Sequence, residues 1–237
     1  MSEHYGDLHA SDGASAAQRL VVAAVAAHVP AGGHVLDVGC STGHVAGAIA
    51  ARGVQVTGVE PDPVAAERAR AVCDEVITGG IDDAAIRARL PRGVDVVVFA
   101  DVLEHLTDPT ETLRFVRELL TPEGVVVTSI PNIAHWSARR EVARGRFPAT
   151  DHGLFDRTHL RFFTRATARE LATGAGYDVI AEVPAPGALP LERLARARAG
   201  GTDNEPAPSV ARLRAALTRA RPELFALQFV FTLTSRR

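Results

Sequence analysis

His34 to Glu60, HVLDVGCSTGHVAGAIAARGVQVTGVE, is the stretch whose reading decides the fold. Val35, Leu36 and Val38 form a short apolar run of the kind that suits a buried parallel strand. Gly39-Cys-Ser-Thr-Gly43 then turns the chain. Glycine lacks a Cβ, so the backbone can bend sharply there and a ligand can lie against it. Ala46, Ala48, Ile49 and Ala50 continue as a helix of small residues that can pack close to a sheet. Gly53 ends that helix, and Val54, Val56 and Val59 make the next strand. Glu60 closes it, at the distance from Gly39 where an α/β nucleotide fold sets a carboxylate on ribose hydroxyls.

The glycine spacing narrows the ligand. A dinucleotide fingerprint needs G-x-G-x-x-G, and Gly39 to Gly43 gives G-x-x-x-G. A P-loop needs Gly-Lys, and the chain contains no lysine, which also removes pyridoxal-phosphate and other lysine Schiff-base chemistry. What remains is a ligand with a ribose and no pyrophosphate. The glycines alone leave a purely structural strand–turn–helix open as well.

Asp37-x-Gly39-x-x-x-Gly43 with the downstream Glu60 resembles the class I S-adenosylmethionine (SAM) dependent methyltransferases. The resemblance implies that Asp37, Gly39, Cys40, Ser41 and Gly43 surround the methionine moiety. It implies that Glu60, followed by Pro61, takes the ribose hydroxyls. The family more often has Gly where Ser41 stands. Many members place an acid near Gly80 on the adenine amino group; here Ile81 and Asp82 are the nearest candidates, and Asp82 is equally a helix cap. Later segments extend the likeness over residues 33–131: Asp101-Val-Leu-Glu104-His105-Leu, Leu120-Thr-Pro-Glu-Gly124 and Ser129-Ile-Pro-Asn132. The fold implied is α/β, a seven-stranded doubly wound Rossmann-like sheet with helices on both faces.

Composition fits one large domain. The chain has 237 residues, 46% of them hydrophobic, which is enough for a full core. A net charge of −2 argues against a dedicated nucleic-acid binder. Cys40 and Cys73 make no disulfide framework, so a reducing cytoplasm is the expected compartment. No apolar run is long enough to span a membrane, and no N-terminal signal pattern is seen.

Residues 1–30 read as an N-terminal segment and helix, Ala14 to Val29, stopped by Pro30; His4, Tyr5 and His9 precede it. In relatives such a segment lids the SAM site, and a loose terminus is the alternative. Residues 31–183 read as the cofactor-binding core. Within it, Asp62 caps a helix running to Val72, Glu75 to Thr78 is a strand, Asp82 caps a helix to Leu90, and Val94 to Ala100 is a fully apolar strand. Asp108-Pro109 opens a helix to Leu120, Thr121 to Gly124 turns, and Val125 to Ile130 is a strand. Thr164 caps the helix to Gly176, and Tyr177 to Val183 is the sixth strand. Residues 184–237 read as helical pieces at 190–199 and 209–220, a Gly/Pro-rich linker at 200–208, and a last, antiparallel strand from Leu224 to Thr234.

Residues 131–163 stand where the family inserts substrate-binding segments. Six arginines (Arg139, Arg140, Arg144, Arg146, Arg157, Arg161) face three acids (Glu141, Asp151, Asp156). That excess of guanidinium points to an anionic acceptor, with a solvated helix as the alternative. His135, Trp136, Arg139, His152 and Arg157 are the substrate-binding candidates.

The expected chemistry sits at the carboxyl end of the fourth strand, where open α/β sheets bind ligands. Asp101, as a cofactor contact, and Glu104 and His105 fall there. His105 is the first candidate base and His159, in Asp156-Arg-Thr-His159, the second; the expectation is that both converge on one acceptor. The set Asp101, Glu104, His105 and His159 resembles the ligand set with which ubiquinone-pathway O-methyltransferases and small-RNA 2′-O-methyltransferases hold a divalent ion, Mg or Mn. Asp101 stands where glutamate is usual. The insertion also resembles bacterial methyltransferases of sugar, polysaccharide and natural-product pathways. The implied function is methyl transfer from SAM to a hydroxyl of a small, anionic or glycosylated acceptor. An RNA 2′-hydroxyl and a non-catalytic SAM-binding partner are the alternatives, and a homodimer is a further expectation.

Overall fold

The computed structural model describes residues 15–189 and 208–236. His4, Tyr5, His9 and the linker and helix expected between 190 and 207 lie outside the described residues. The chain opens on α1 (Ala16–His28), whose first turn is closed by a capping box: the Ser15 hydroxyl accepts from Gln18 N–H and the Gln18 side chain accepts from Ser15 N–H. Ala17, Val21 and Val25, four apart, form its buried stripe. There follow β1 (His34–Val38), α2 (His44–Ala50), β2 (Gln55–Glu60), α3 (Pro63–Ala69), β3 (Glu75–Thr78), α4 (Ala84–Arg87) and β4 (Val94–Ala100). A single 3₁₀ turn (Leu103–His105) leads to α5 (Pro109–Val116) and β5 (Leu120–Pro131). The insertion carries α6 (Trp136–Ala143), and the chain ends with α7 (Arg165–Gly174), β6 (Tyr177–Pro186), α8 (Pro208–Ala220), α9 (Pro222–Phe225) and β7 (Ala226–Ser235).

The seven strands pair in the order β3-β2-β1-β4-β5-β7-β6. The first five are parallel, and β7 runs antiparallel to both β5 and β6. Chain order reverses between β1 and β4, which makes the carboxyl ends of those two strands the switch point where such sheets bind ligands. Apolar layers cover both faces. Phe99, Leu113 and Tyr177 belong to one, and Val21, Ile49 and Val98 to the other.

The cap of α4 is Asp83, not Asp82: the Asp83 carboxylate accepts from Ala85 N–H. Asp82 instead takes a long contact of 3.4 Å from the Thr112 hydroxyl. Thr121 to Gly124 is not a free turn; it lies inside β5, where a register shift between Val94 and Val96 absorbs the extra residues. Asn132 ties the start of the insertion to the end of the chain. Its Nδ2 donates to Glu223 and Ala226 carbonyls at 3.0 and 2.9 Å, and its Oδ1 accepts from Ala134 N–H at 3.0 Å. Asn132 is buried, so Asn132→Ala should leave these backbone groups short of a partner at a cost of about 2–3 kcal/mol. Urea unfolding measures it, and an unchanged midpoint would count against this tie.

Candidate active site

One cavity opens at the switch point. Its floor is the β1–α2 turn, with Asp37, Gly39, Cys40 and Ser41 in the lining. Gly39 and Gly43 have φ of +71° and +84°, and neither admits a side chain. A Cβ at Gly39 would come 2.6 Å from Val102, and one at Gly43 would come 2.5 Å from Val72 and 3.1 Å from the Ala69 backbone. Ser41 takes a left-handed φ of 49° between them, which turns its N–H toward Glu60.

Glu60 ends β2 almost fully buried. Its two oxygens accept from Ser41 N–H and Asp62 N–H, both at 2.8 Å. Burial raises its carboxyl above the ordinary range, and those two donors oppose the rise. Both carboxylate oxygens are thus held in place by backbone N–H groups. Asp37 is more isolated. It is 1% exposed, its Oδ2 has no hydrogen-bond partner, and its carboxyl is pushed up to about 7, by burial first and by Glu60 second. An orphaned buried acceptor in a cofactor turn is complementary to a cationic amino group. Glu60, Pro61, Ile81 and Asp82 do not line the cavity itself. Ile81 is buried and Pro61 and Asp82 are exposed.

The far wall carries a cluster of carboxylates and imidazoles. Asp101, at the end of β4, sits at a left-handed φ of 59°. Its N–H donates to Ser129 Oγ at 3.0 Å, and its Oδ1 accepts from Ser129 Oγ at 2.9 Å and from Gln228 Nε2 at 2.6 Å. The 3₁₀ turn that follows brings Glu104 and His105 inward. Glu104 is 1% exposed, and neither carboxyl oxygen receives a hydrogen bond from another residue. Burial, then Asp101, raises its carboxyl well above the usual value. His159 comes from the insertion and meets this turn: its ring centroid lies 4.8 Å from that of His105, and its Nε2 lies 3.9 Å from Glu104 Oε1. Burial, then His105, lowers the His159 imidazole below its ordinary value. The insertion is stitched here by Leu160 and Arg161 N–H, which donate to the Glu104 carbonyl at 2.9 and 3.2 Å.

Ligand atoms of Glu104, His105 and His159 all lie within 4.8 Å of one another. With an orphaned carboxylate among them, these three fit a divalent cation. Asp101 is not in that group; its Oδ1 accepts from Ser129 and Gln228.

The substrate candidates divide. His152 lines the cavity, and Arg157 reaches its rim only through an ion pair of 2.7 Å with the lining residue Asp151. His135, Trp136 and Arg139 do not line it. His135 is buried as the N-cap of α6, its Nδ1 accepting from Ser137 N–H at 3.3 Å. Trp136 Nε1 donates to the Ala188 carbonyl, and Arg139 Nε donates to that of Ala134. Nor do the other insertion arginines line it. Arg140 and Arg146 pair with Glu141, Arg144 donates to the Arg140 carbonyl, and Arg161 donates to that of Thr107. Among the described residues the lining holds carboxylates and imidazoles and no guanidinium. Sequence reasoning missed Gln18 and Gln228, which line the cavity from α1 and β7. A polar residue in an otherwise apolar strand, as Gln228 is in ALQFVF, was the available signal.

A glycine turn after β1, a buried acid at the end of β2 and a carboxylate–imidazole cluster after β4, on a sheet of this strand order, define a Rossmann-like α/β protein. The chain belongs to the class I SAM-dependent methyltransferase family: the model of a methyltransferase domain matches residues 10–182, well over half of it. It is similar to a ubiquinone biosynthesis O-methyltransferase of Stutzerimonas stutzeri, 35% identical over 43% of this chain and 46% of the relative. It is also similar to a protein of Mycolicibacterium smegmatis described as a probable S-adenosylmethionine-dependent methyltransferase, 33% identical over 65% of this chain and 55% of that one. The chain thus spans about half the length of the relatives it matches. Among solved structures, a SAM-dependent methyltransferase from Archaeoglobus fulgidus matches with a TM-score of 0.63 at 17% identity, over 91% of this chain and 93% of that one. At that identity the likeness is one of fold. Among the described residues no helix is long and apolar enough to cross a membrane.

Proposed function

We propose that this chain transfers the methyl group of SAM to a hydroxyl of a small, uncharged or glycosylated acceptor. The observation that carries the reading is the meeting of His105, His159 and Glu104 in the same cavity as Asp37, Gly39 and Ser41. In this reading Glu60 takes the ribose hydroxyls, Asp37 the amino group of the methionine moiety, and Pro61, Ile81 and Asp82 flank the adenine. A sulfonium is already a good leaving group, so the chain's main task is to align it with the acceptor oxygen. An imidazole, His105 or His159, removes the hydroxyl proton. Glu104, His105 and His159 would also hold a divalent ion, Mg or Mn, whose Lewis acidity would lower the pKa of the acceptor hydroxyl. O-methylation is supported by the names of the relatives from ubiquinone biosynthesis and by the presence of two candidate bases. His152 and Arg157 remain the substrate-side candidates.

Calorimetric titration with S-adenosylhomocysteine should show one site. Glu60→Ala should weaken it on the order of 10²-fold, since a charged acceptor for two hydroxyls is lost. Unchanged affinity would remove the ribose assignment. Transfer of labelled methyl to a panel of hydroxyl compounds separates the enzyme from a non-catalytic SAM-binding protein, which would bind the cofactor and transfer nothing.

A further inference from the structure

We propose that Asp156 and Thr158 are positioning residues that hold His105 in a single tautomer, with the proton on Nδ1 and the lone pair on Nε2. His105 Nδ1 lies 3.2 Å from the Thr158 carbonyl oxygen and 3.1 Å from the Thr158 hydroxyl. That hydroxyl lies 2.6 Å from Asp156 Oδ1, and the same Oδ1 accepts from Thr158 N–H at 2.8 Å. An oxygen already accepting from a backbone N–H is an acceptor, so the Thr158 hydroxyl proton points at Asp156. Its lone pair is what faces the imidazole. A carbonyl oxygen can only accept. Both neighbours of Nδ1 are therefore acceptors, and Nδ1 carries the proton. In a neutral imidazole the other nitrogen is then bare.

The contact does not depend on the His105 side chain for its existence. Asp156 is buried and its N–H donates to the Gly153 carbonyl at 3.1 Å, while a bridge pairs it with Thr150. On the other side, Leu160 and Arg161 N–H fasten the segment to the carbonyl of Glu104, next to His105. The two acceptors are thus set in place by the backbone around them. The functional consequence rests on the proposed methyl transfer: a bare Nε2 can take a hydroxyl proton or ligate a metal, whereas the other tautomer presents an N–H and can do neither. The tautomer itself stands or falls without any acceptor.

The test is long-range proton–nitrogen correlation NMR of the full chain, labelled with nitrogen-15 and kept in a chelator. At about pH 8, above the ordinary imidazole range, neutral rings report their tautomer. The His105 signals are those lost in His105→Gln. The wild type should show the proton on Nδ1, and Thr158→Ser should keep that pattern. The double variant Asp156→Ala/Thr158→Val keeps the Thr158 carbonyl but loses the hydroxyl acceptor and the Asp156 tie to Thr158 N–H, so the Nε2–H form should appear beside the wild-type one. Unmoved signals from His34 and His135 show that the chain is folded. If the double variant does not fold, Thr158→Val alone should bring in part of the Nε2–H form. A wild-type proton on Nε2 would overturn the tautomer, and variants without the Thr158 hydroxyl that keep the wild-type pattern unchanged would overturn the positioning role of Asp156 and that hydroxyl. Loss of cofactor binding or turnover with the tautomer intact would instead count against the proposed function.

Discussion

Replacing His105 or His159 by alanine is expected to lower kcat by about 10²–10⁴-fold while S-adenosylhomocysteine affinity stays near that of the wild type. The reason is where the two rings stand. Their centroids are 4.8 Å apart, and both rings line the cavity that Gly39, Cys40 and Ser41 also line. Burial lowers the His159 imidazole, so it is neutral and able to take a proton near neutral pH. Glu104 lies behind it with both oxygens unused by other residues, and Glu104→Gln should fall in the same range. If the three groups act as a unit, the double histidine variant should lose little more than either single one. The measurement is turnover with the best acceptor from the panel, alongside calorimetry. Adding a chelator and then Mg or Mn separates the two uses of the site. Activity lost and restored means the three side chains serve as ligands, and indifference means they serve as base and orienters. A histidine variant with wild-type kcat would sink the shared-site reading.

How far this arrangement could be read in advance follows from the range of the interactions involved. β3 and β4 form over the residues that their apolar runs marked, Glu75–Thr78 and Val94–Ala100, because a buried parallel strand needs only local pattern. The caps at Asp62 and Thr164 are equally local, and both form. Asp82 and Asp83 show the limit. Both can cap, and only the backbone angles entering α4 select Asp83, whose φ and ψ are extended. The insertion shows a different limit. Arg140, Arg146 and Arg157 take sequence-near acids and Arg139 a sequence-near carbonyl, so residue type alone does not say which of them reach the cavity. Gln228 reaches Asp101 across 127 positions through the antiparallel register of β7 on β5, which pairs it with Pro131. No local pattern encodes such a register. The His105–His159 approach was legible because topology alone brings both loops to one edge of the sheet.

The stability of the ligand-free chain should fall as pH rises from about 4 to 7, and Asp37 should account for much of it. Its carboxyl is held at about 7 in the folded chain, against an ordinary value of 3.8. Below that ordinary value both folded and unfolded states are protonated, and the group contributes nothing. Between the two values the unfolded chain releases the proton and the folded chain keeps it, so folding loses ground with each step in pH. Above about 7 the loss is complete, at most about 4 kcal/mol. For a chain of this length that is a drop in Tm of roughly 8–16 °C. Glu60, also raised by burial, pulls in the same direction. Asp37→Asn cannot ionise, so its Tm should be flatter over this range and higher than wild type at the alkaline end. A cofactor amino group beside Asp37 would favour the carboxylate. The Tm gain from S-adenosylhomocysteine should therefore grow from pH 5 to 8 in the wild type and stay constant in Asp37→Asn. Thermal scans across pH, with and without the ligand, measure both. Equal slopes for the two proteins would show that the buried Asp37 carboxyl is not the group that titrates.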